Sequence, residues 1–169
     1  MDREQLRAVQ GPLKARYTQE PAAALVTLRA EGRLGDEEIS CSVETGRALV
    51  EAGLHPATGG SSALACSGDM LLQALVACAG VTLRAVATSL GLAVGGSVRA
   101  EGDLDFRGTL GVGKEEGVPV GFTAIRLAFD LEHDESADDI ATLLRLTERY
   151  CVVYQTLAGG VPVEISHAR

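Results

Sequence analysis

The sequence has no run of basic side chains: its 15 lysines and arginines are spread along 169 residues against 23 acidic ones, for a formal charge of −8. That argues against nucleic acid or an anionic membrane as a partner, because both are held by clustered positive charge. The opening MDREQLRAVQ lacks the apolar core of a secretory signal, and no other targeting motif is present, which makes the cytoplasm the expected compartment. The four cysteines, at positions 41, 66, 78 and 151, include no CxxC pair. In a reducing compartment they are not expected to form a structural framework of disulfides, so each is either a buried thiol or a working one. His55, His133 and His167 are scattered without ligand spacing to the cysteines, which argues against zinc, and no nucleophile-elbow sequence accompanies the serines. Repeats, low-complexity tracts and linker-like stretches are also missing. Residues 1–169 therefore read as one domain, long enough to bury about 70% of the surface its unfolded chain exposes.

What the sequence does have is a long apolar stretch, SGDMLLQALVACAGVTLRAVATSLG, from Ser67 to Gly91. No charge falls between Asp69 and Arg84, and apolar residues occupy every side, so a helix here must be covered all round. Ser67 suits the N-cap, Asp69 places negative charge in the first turn, and Gly91 supplies a permissive backbone at the end. The uncharged segment Met70 to Leu83 is shorter than the roughly 20 residues a bilayer span needs. The stretch is accordingly expected to be a core helix, with Cys78 near its middle.

Around that helix the chain is strand-rich. Residues 3–17 carry Leu6, Val9, Leu13 and Tyr17 at amphipathic spacing, interrupted by Gly11 and Pro12. Ala23 to Arg33, a polar turn at Gly35-Asp36-Glu37, and Ile39 to Val43 predict a β-hairpin. Ala48 to Ala52 suits a further strand or a turn of helix, and HPATGGSS a loop. Ser97 to Arg107 and Phe122 to Leu131 alternate as antiparallel strands with one wet face, the first through Val98, Ala100, Leu104 and Phe106, the second through Ala124, Ile125, Leu127 and Phe129. Between them Gly108, Gly113 and Lys114 satisfy most of a P-loop pattern. Glu115, Glu116, Gly117 and Pro119 follow, however, which repel phosphate and stop the helix that such a site needs. Ser136 with Asp139 forms a capping-box start to a second helix, whose Ile140, Leu144, Thr147 and Cys151 share one face. VVYQTLAGG continues as further helical turns, and VPVEIS closes as a short strand. Segregated strands with helices to one side predict an α+β domain.

Two thiols in two helices meet if those helices pack together, and such a pair can cycle between dithiol and disulfide. A reactive thiol also needs its pKa lowered, which burial alone does not do. Arg84 lies about 240° round the helix from Cys78, so Arg29, Arg33 or Arg47 is better placed to help. Against this stands the plain alternative that buried cysteines between alanines are small packing residues. Cys41 and Cys66 have no such partner and read as inert.

LLQALVACAGVTLRAVATSLG, followed some seventy residues on by LTERYCVVYQTL and then VPVEIS, resembles the osmotically inducible protein C and organic hydroperoxide resistance superfamily, in particular its OsmC-like branch. The resemblance spans about Ala23 to Ser166. It implies an intertwined homodimer with long central helices flanked by antiparallel sheets and active sites at the subunit interface. It further implies that Cys78 is the peroxidatic cysteine and Cys151 the resolving one, reducing small organic or lipid hydroperoxides at the expense of a dithiol reductant, with no cofactor. The family's activating arginine lies in the hairpin region, matched here by Arg29 or Arg33. Its helix-mouth glutamate corresponds to Gly68, with Asp69 the adjacent carboxylate. The alternative reading is a non-catalytic protein of the same fold that holds an apolar ligand at the dimer interface.

Overall fold

A computed structural model describes residues 3–34, 41–43, 52–60 and 65–167. Its centre is helix α2, Ser67–Leu90, whose cap lies one residue earlier than expected: Cys66 holds the N-cap position, and Ser67 is the first helical residue. Asp69 lies in the first turn and Gly91 ends the helix at φ +73°, a left-handed backbone that glycine adopts without steric cost. By length and composition alone α2 is long enough to cross a membrane. Its Leu72, Leu75, Val76, Ala79, Leu83 and Ala87 are instead buried in a protein core.

That core is closed by a four-stranded antiparallel sheet. Strands β1 (Leu25–Leu34), β2 (Cys41–Val43), β5 (Val94–Asp105) and β6 (Phe122–His133) lie in the order β2-β1-β5-β6. The expected N-terminal hairpin is present as β1 and β2, with Leu34 opposite Cys41 and Gly32 opposite Val43. Residues 35–40 and 44–51, which include Arg47 and the expected element at 48–52 up to Glu51, lie outside the described residues. Two short strands, β3 (Ala52–Gly53) and β4 (Ala65–Cys66), pair in parallel just before α2.

Alternation along β5 buries Val98, Ala100 and Leu104 against α2. The opposite face is wet, as expected: Arg126 on β6 forms a forked pair with Asp103 at 2.6 and 2.9 Å and reaches Glu101 at 3.5 Å. On β6 the partly buried residues are Phe122, Ile125, Leu127, Phe129 and Leu131, whereas Ala124 is exposed. A register shift between Asp103 and Leu104 separates the pairs Asp103–Ala124 and Leu104–Phe122.

Helix α1 (Arg3–Gln19) runs straight through Gly11 and Pro12, where an interruption was expected. Two contacts tie it down. Tyr17 is 3% exposed and donates its hydroxyl to the Ala57 carbonyl at 2.7 Å, and Gln10 reaches the Thr58 carbonyl at 3.3 Å. Between β5 and β6, a short helix α3 (Phe106–Leu110) is capped by Asp105, which also grips Arg107. Arg107 in turn binds Glu116 at 2.6 Å, so the glycine-rich loop is closed by its own charges.

The C-terminal third holds α4 (Ala137–Tyr150) and α5 (Val152–Gly159), both packed on α2. Ser136 caps α4 as read from the sequence, its Oγ accepting the Asp139 N–H at 3.2 Å, and its hydroxyl donates to Asp139 Oδ2 at 2.6 Å. Residues 161–167 form no strand. Val161, Val163 and Ile165 are 52%, 82% and 96% exposed, because an alternating segment needs a neighbouring strand and none runs beside it in one copy among the described residues.

Candidate functional site: a thiol pair at a helix break

The periodicity that carried α4 into α5 as one helix conceals a break at Cys151. There the backbone turns to φ −72°, ψ 105°, and Cys151 is at once the C-cap of α4 and the N-cap of α5. Its N–H still closes α4 by donating to Thr147 at 2.9 Å, and its carbonyl opens α5 by accepting from Gln155 at 2.9 Å. A new helix start exposes N–H groups that have no partner within the helix. The Tyr154 N–H donates to Cys151 Sγ at 3.5 Å, so the thiol acts as the capping group. The N–H groups of Val152 and Val153, at the open start of α5, lie beside Cys78 and help to hold its thiol down.

Cys78 therefore sits where α2 meets the first turn of α5. The side chains of Cys151 and Thr82 also lie beside its sulfur. Burial pushes the Cys78 thiol up, but the N–H groups of Val153 and Val152 with the Cys151 and Thr82 side chains outweigh it, and the thiol is held below its ordinary range. Cys151 is the opposite case. It is 1% exposed, and burial, reinforced by the adjacent Cys78, pushes its thiol up to about 11. The pair is chemically divided: one sulfur is placed to be the thiolate, the other to remain protonated and donate.

The remaining residues read from the sequence are not all brought here. Asp69, expected as the orienting carboxylate, precedes Cys78 by nine residues, which is half a turn round α2 and about 13.5 Å along it. It faces His55 instead, where burial raises the carboxyl and the imidazole partly offsets this. His55 is fixed by stacking on Phe106 at 4.7 Å and by accepting the Ala57 N–H at Nδ1. Arg29 and Arg33 stand in β1 at register positions opposite Glu101 and Ser97. Their guanidinium groups, and all of Arg47, lie outside the described residues. Cys66, half-buried with a free thiol, holds the N-cap position of α2, and Cys41 stands in β2. Among the described residues, no cluster of three or more histidine, cysteine or acidic side chains could hold a metal ion.

Two largely apolar cavities lie along β6, one of them against Cys151. One, of about 360 Å³, is lined by Ala79, Leu127, Phe129, Leu144, Cys151 and Tyr154 among others. The other, of about 430 Å³, lies further along β6 beside Phe122, Ile125 and Leu157. Leu127 and Tyr154 line both. Sequence reasoning found the two cysteines and missed the helix start and Thr82. No glycine or proline marks the break, and only the adjacent β-branched Val152 and Val153 hint at it.

Fold and site together define a class: α+β proteins with an antiparallel sheet in which a long apolar helix holds one thiol against a second. The family of OsmC-like proteins matches residues 59–166, and the chain belongs to it. Among solved structures, an OsmC-like hydroperoxide resistance protein from Jannaschia sp. CCS1 superposes with a TM-score of 0.51 at 19% identity, over 85% of this chain and 92% of that one. No curated protein matches the sequence.

Proposed function

We propose that this protein is a thiol-dependent peroxidase that reduces organic hydroperoxides through Cys78 and Cys151. The observation that supports the reading is the placement of the two thiols beside one another where α2 meets the start of α5, with Cys78 lowered and Cys151 raised in pKa. The Cys78 thiolate attacks the distal oxygen of the hydroperoxide. The O–O bond breaks, Cys78 becomes a sulfenic acid, and the alkoxide takes a proton to leave as the alcohol. The Cys151 sulfur then attacks the sulfenic sulfur, its proton leaves with the hydroxyl as water, and a disulfide forms. A dithiol restores both thiols. The apolar walls supplied by Leu127, Phe129 and Leu144 suit a hydrocarbon-bearing peroxide better than hydrogen peroxide. Membership of the OsmC-like family supports a role of this kind.

The working form in this reading is a cytoplasmic homodimer. Met70, Leu71 and Val81 on α2 are each more than a third exposed in one copy, and the alternating tail Val161, Val163, Ile165 stands free. Both are apolar surfaces that a second copy would cover. The test is turnover of cumene hydroperoxide with dithiothreitol as reductant. Cys78→Ser is expected to abolish turnover, and Cys151→Ser, treated with one equivalent of hydroperoxide without reductant, to stop at a trappable sulfenic acid on Cys78. Unaltered turnover by Cys78→Ser overturns the reading. The cavities also favour a second reading, a carrier of an apolar ligand in which both cysteines only pack. In that case the serine variants keep ligand affinity, and the wild type consumes no peroxide.

A further inference from the structure

We propose that Tyr154 is a specificity-determining residue: its ring is the wall that sets how long a hydrocarbon chain the cavity against Cys151 accepts. This deepens the peroxidase reading and rests on it only for the identity of the occupant, a straight-chain alkyl hydroperoxide. The two cavities have just Leu127 and Tyr154 in common among their lining residues. Their chemistry differs. The one of about 360 Å³ that touches Cys151 carries the charged side chains Arg145 and Glu148, whereas the one of about 430 Å³ is lined by Leu75, Phe122, Ile125 and Leu157 and, among the described residues, by no charged group. One end is a sulfur with polar neighbours and the other is hydrocarbon, which suits a molecule with oxygen at one end and an alkyl chain behind it. Of the two shared residues, Leu127 belongs to the sheet, paired opposite Ala100 of β5. Tyr154 belongs to the helix that starts at the thiol. It is held at both ends: its N–H donates to Cys151 Sγ at 3.5 Å, and its hydroxyl donates to Glu148 Oε1 on α4 at 3.0 Å. Gln155 adds a second tie, its Nε2 donating to the Glu148 carbonyl at 2.9 Å. A ring fixed at its backbone and at its hydroxyl has few rotamers left, so it stands as a partition. A chain that fits on the Cys151 side gains from each methylene it buries, and a longer one meets the ring.

The experiment is an NMR chemical-shift titration of the reduced full-length protein with straight-chain primary alcohols from butanol to decanol, the reduced counterparts of the hydroperoxides. In wild type, affinity is expected to rise about fourfold per added methylene and then to level off at a break in chain length. In Tyr154→Ala the rise is expected to continue past that break, so that an alcohol two methylenes longer binds the variant about tenfold more tightly than wild type. Tyr154→Phe keeps the ring and should keep the wild-type break. The same break in Tyr154→Ala as in wild type overturns the proposal, as do a break lost equally in Tyr154→Phe and a wild type that binds none of the alcohols. Should the alanine protein fail to fold, Tyr154→Leu, which stays apolar but lacks the ring, decides in the same way. A second arm supplies the matching alkyl hydroperoxides with dithiothreitol. Alcohol binding involves no thiol chemistry, so a Tyr154-dependent break without hydroperoxide consumption overturns the peroxidase reading alone, and consumption without such a break overturns the role of Tyr154 alone.

Discussion

At Cys78 burial and hydrogen bonding act on the thiol in opposite directions, and the hydrogen bonds prevail. Folding therefore increases the thiolate fraction at every pH below the ordinary thiol midpoint, whereas at Cys151 it decreases that fraction. In the reduced protein, Cys78 should alkylate several times faster at pH 7 than an unstructured cysteine peptide, and Cys151 should stay inert until the pH nears about 11. Site-resolved labelling over pH checks both, and equal reactivity of the two at pH 7 would contradict the division of roles. Both cysteines were legible in the sequence from their apolar surroundings. The donors were not, because two are backbone groups freed by a change in ψ at a position without a breaker residue. Asp69 stands nine residues before Cys78, on the far side of α2 and beside His55, and the guanidinium groups of Arg29 and Arg33, with which the sequence reading paired it, lie outside the described residues.

Helix α2 sets the positions of everything else. Its buried face packs on β1, β5, α4 and α5 at once, so a truncation there is felt by both the sheet and the helix break. Leu83 is fully buried one turn beyond Cys78. Leu83→Ala should cost about 2–5 kcal/mol in urea denaturation and retain the fold. A loss under 1 kcal/mol would mean that the site collapses around the missing side chain and that α2 is less rigid than its packing implies. Elements with strong local signals were read correctly: the apolar helix, the hairpin, the strands β5 and β6, and the Ser136 cap, although Phe106 opens α3 instead of extending β5 and Ala124 is exposed. Gly11 and Pro12 were given too much weight, since tertiary anchoring through Tyr17 and Gln10 holds α1 through them. The break between α4 and α5 was missed because Ile140, Leu144, Thr147 and Cys151 keep helical spacing up to the residue where the backbone turns.

At the scale of the whole molecule, the free tail and the uncovered part of α2 point the same way. VPVEIS carries a strand pattern, yet Ile165 is 96% exposed in one copy, so its neighbour was never legible from one chain's pairing. In the homodimer proposed above, removing residues 161–169 should convert the protein to monomers or raise the dimer dissociation constant at least tenfold by analytical ultracentrifugation. A deletion protein that remains dimeric at the same concentration would show that the interface lies elsewhere. The central claim, that Cys78 and Cys151 form a redox pair, is tested most directly by adding one equivalent of cumene hydroperoxide to the fully reduced protein, counting free thiols and mapping disulfides by mass spectrometry. The account predicts rapid loss of two of the four thiols and a Cys78–Cys151 bridge. Four intact thiols, under conditions that oxidise an active thiol peroxidase, would contradict it.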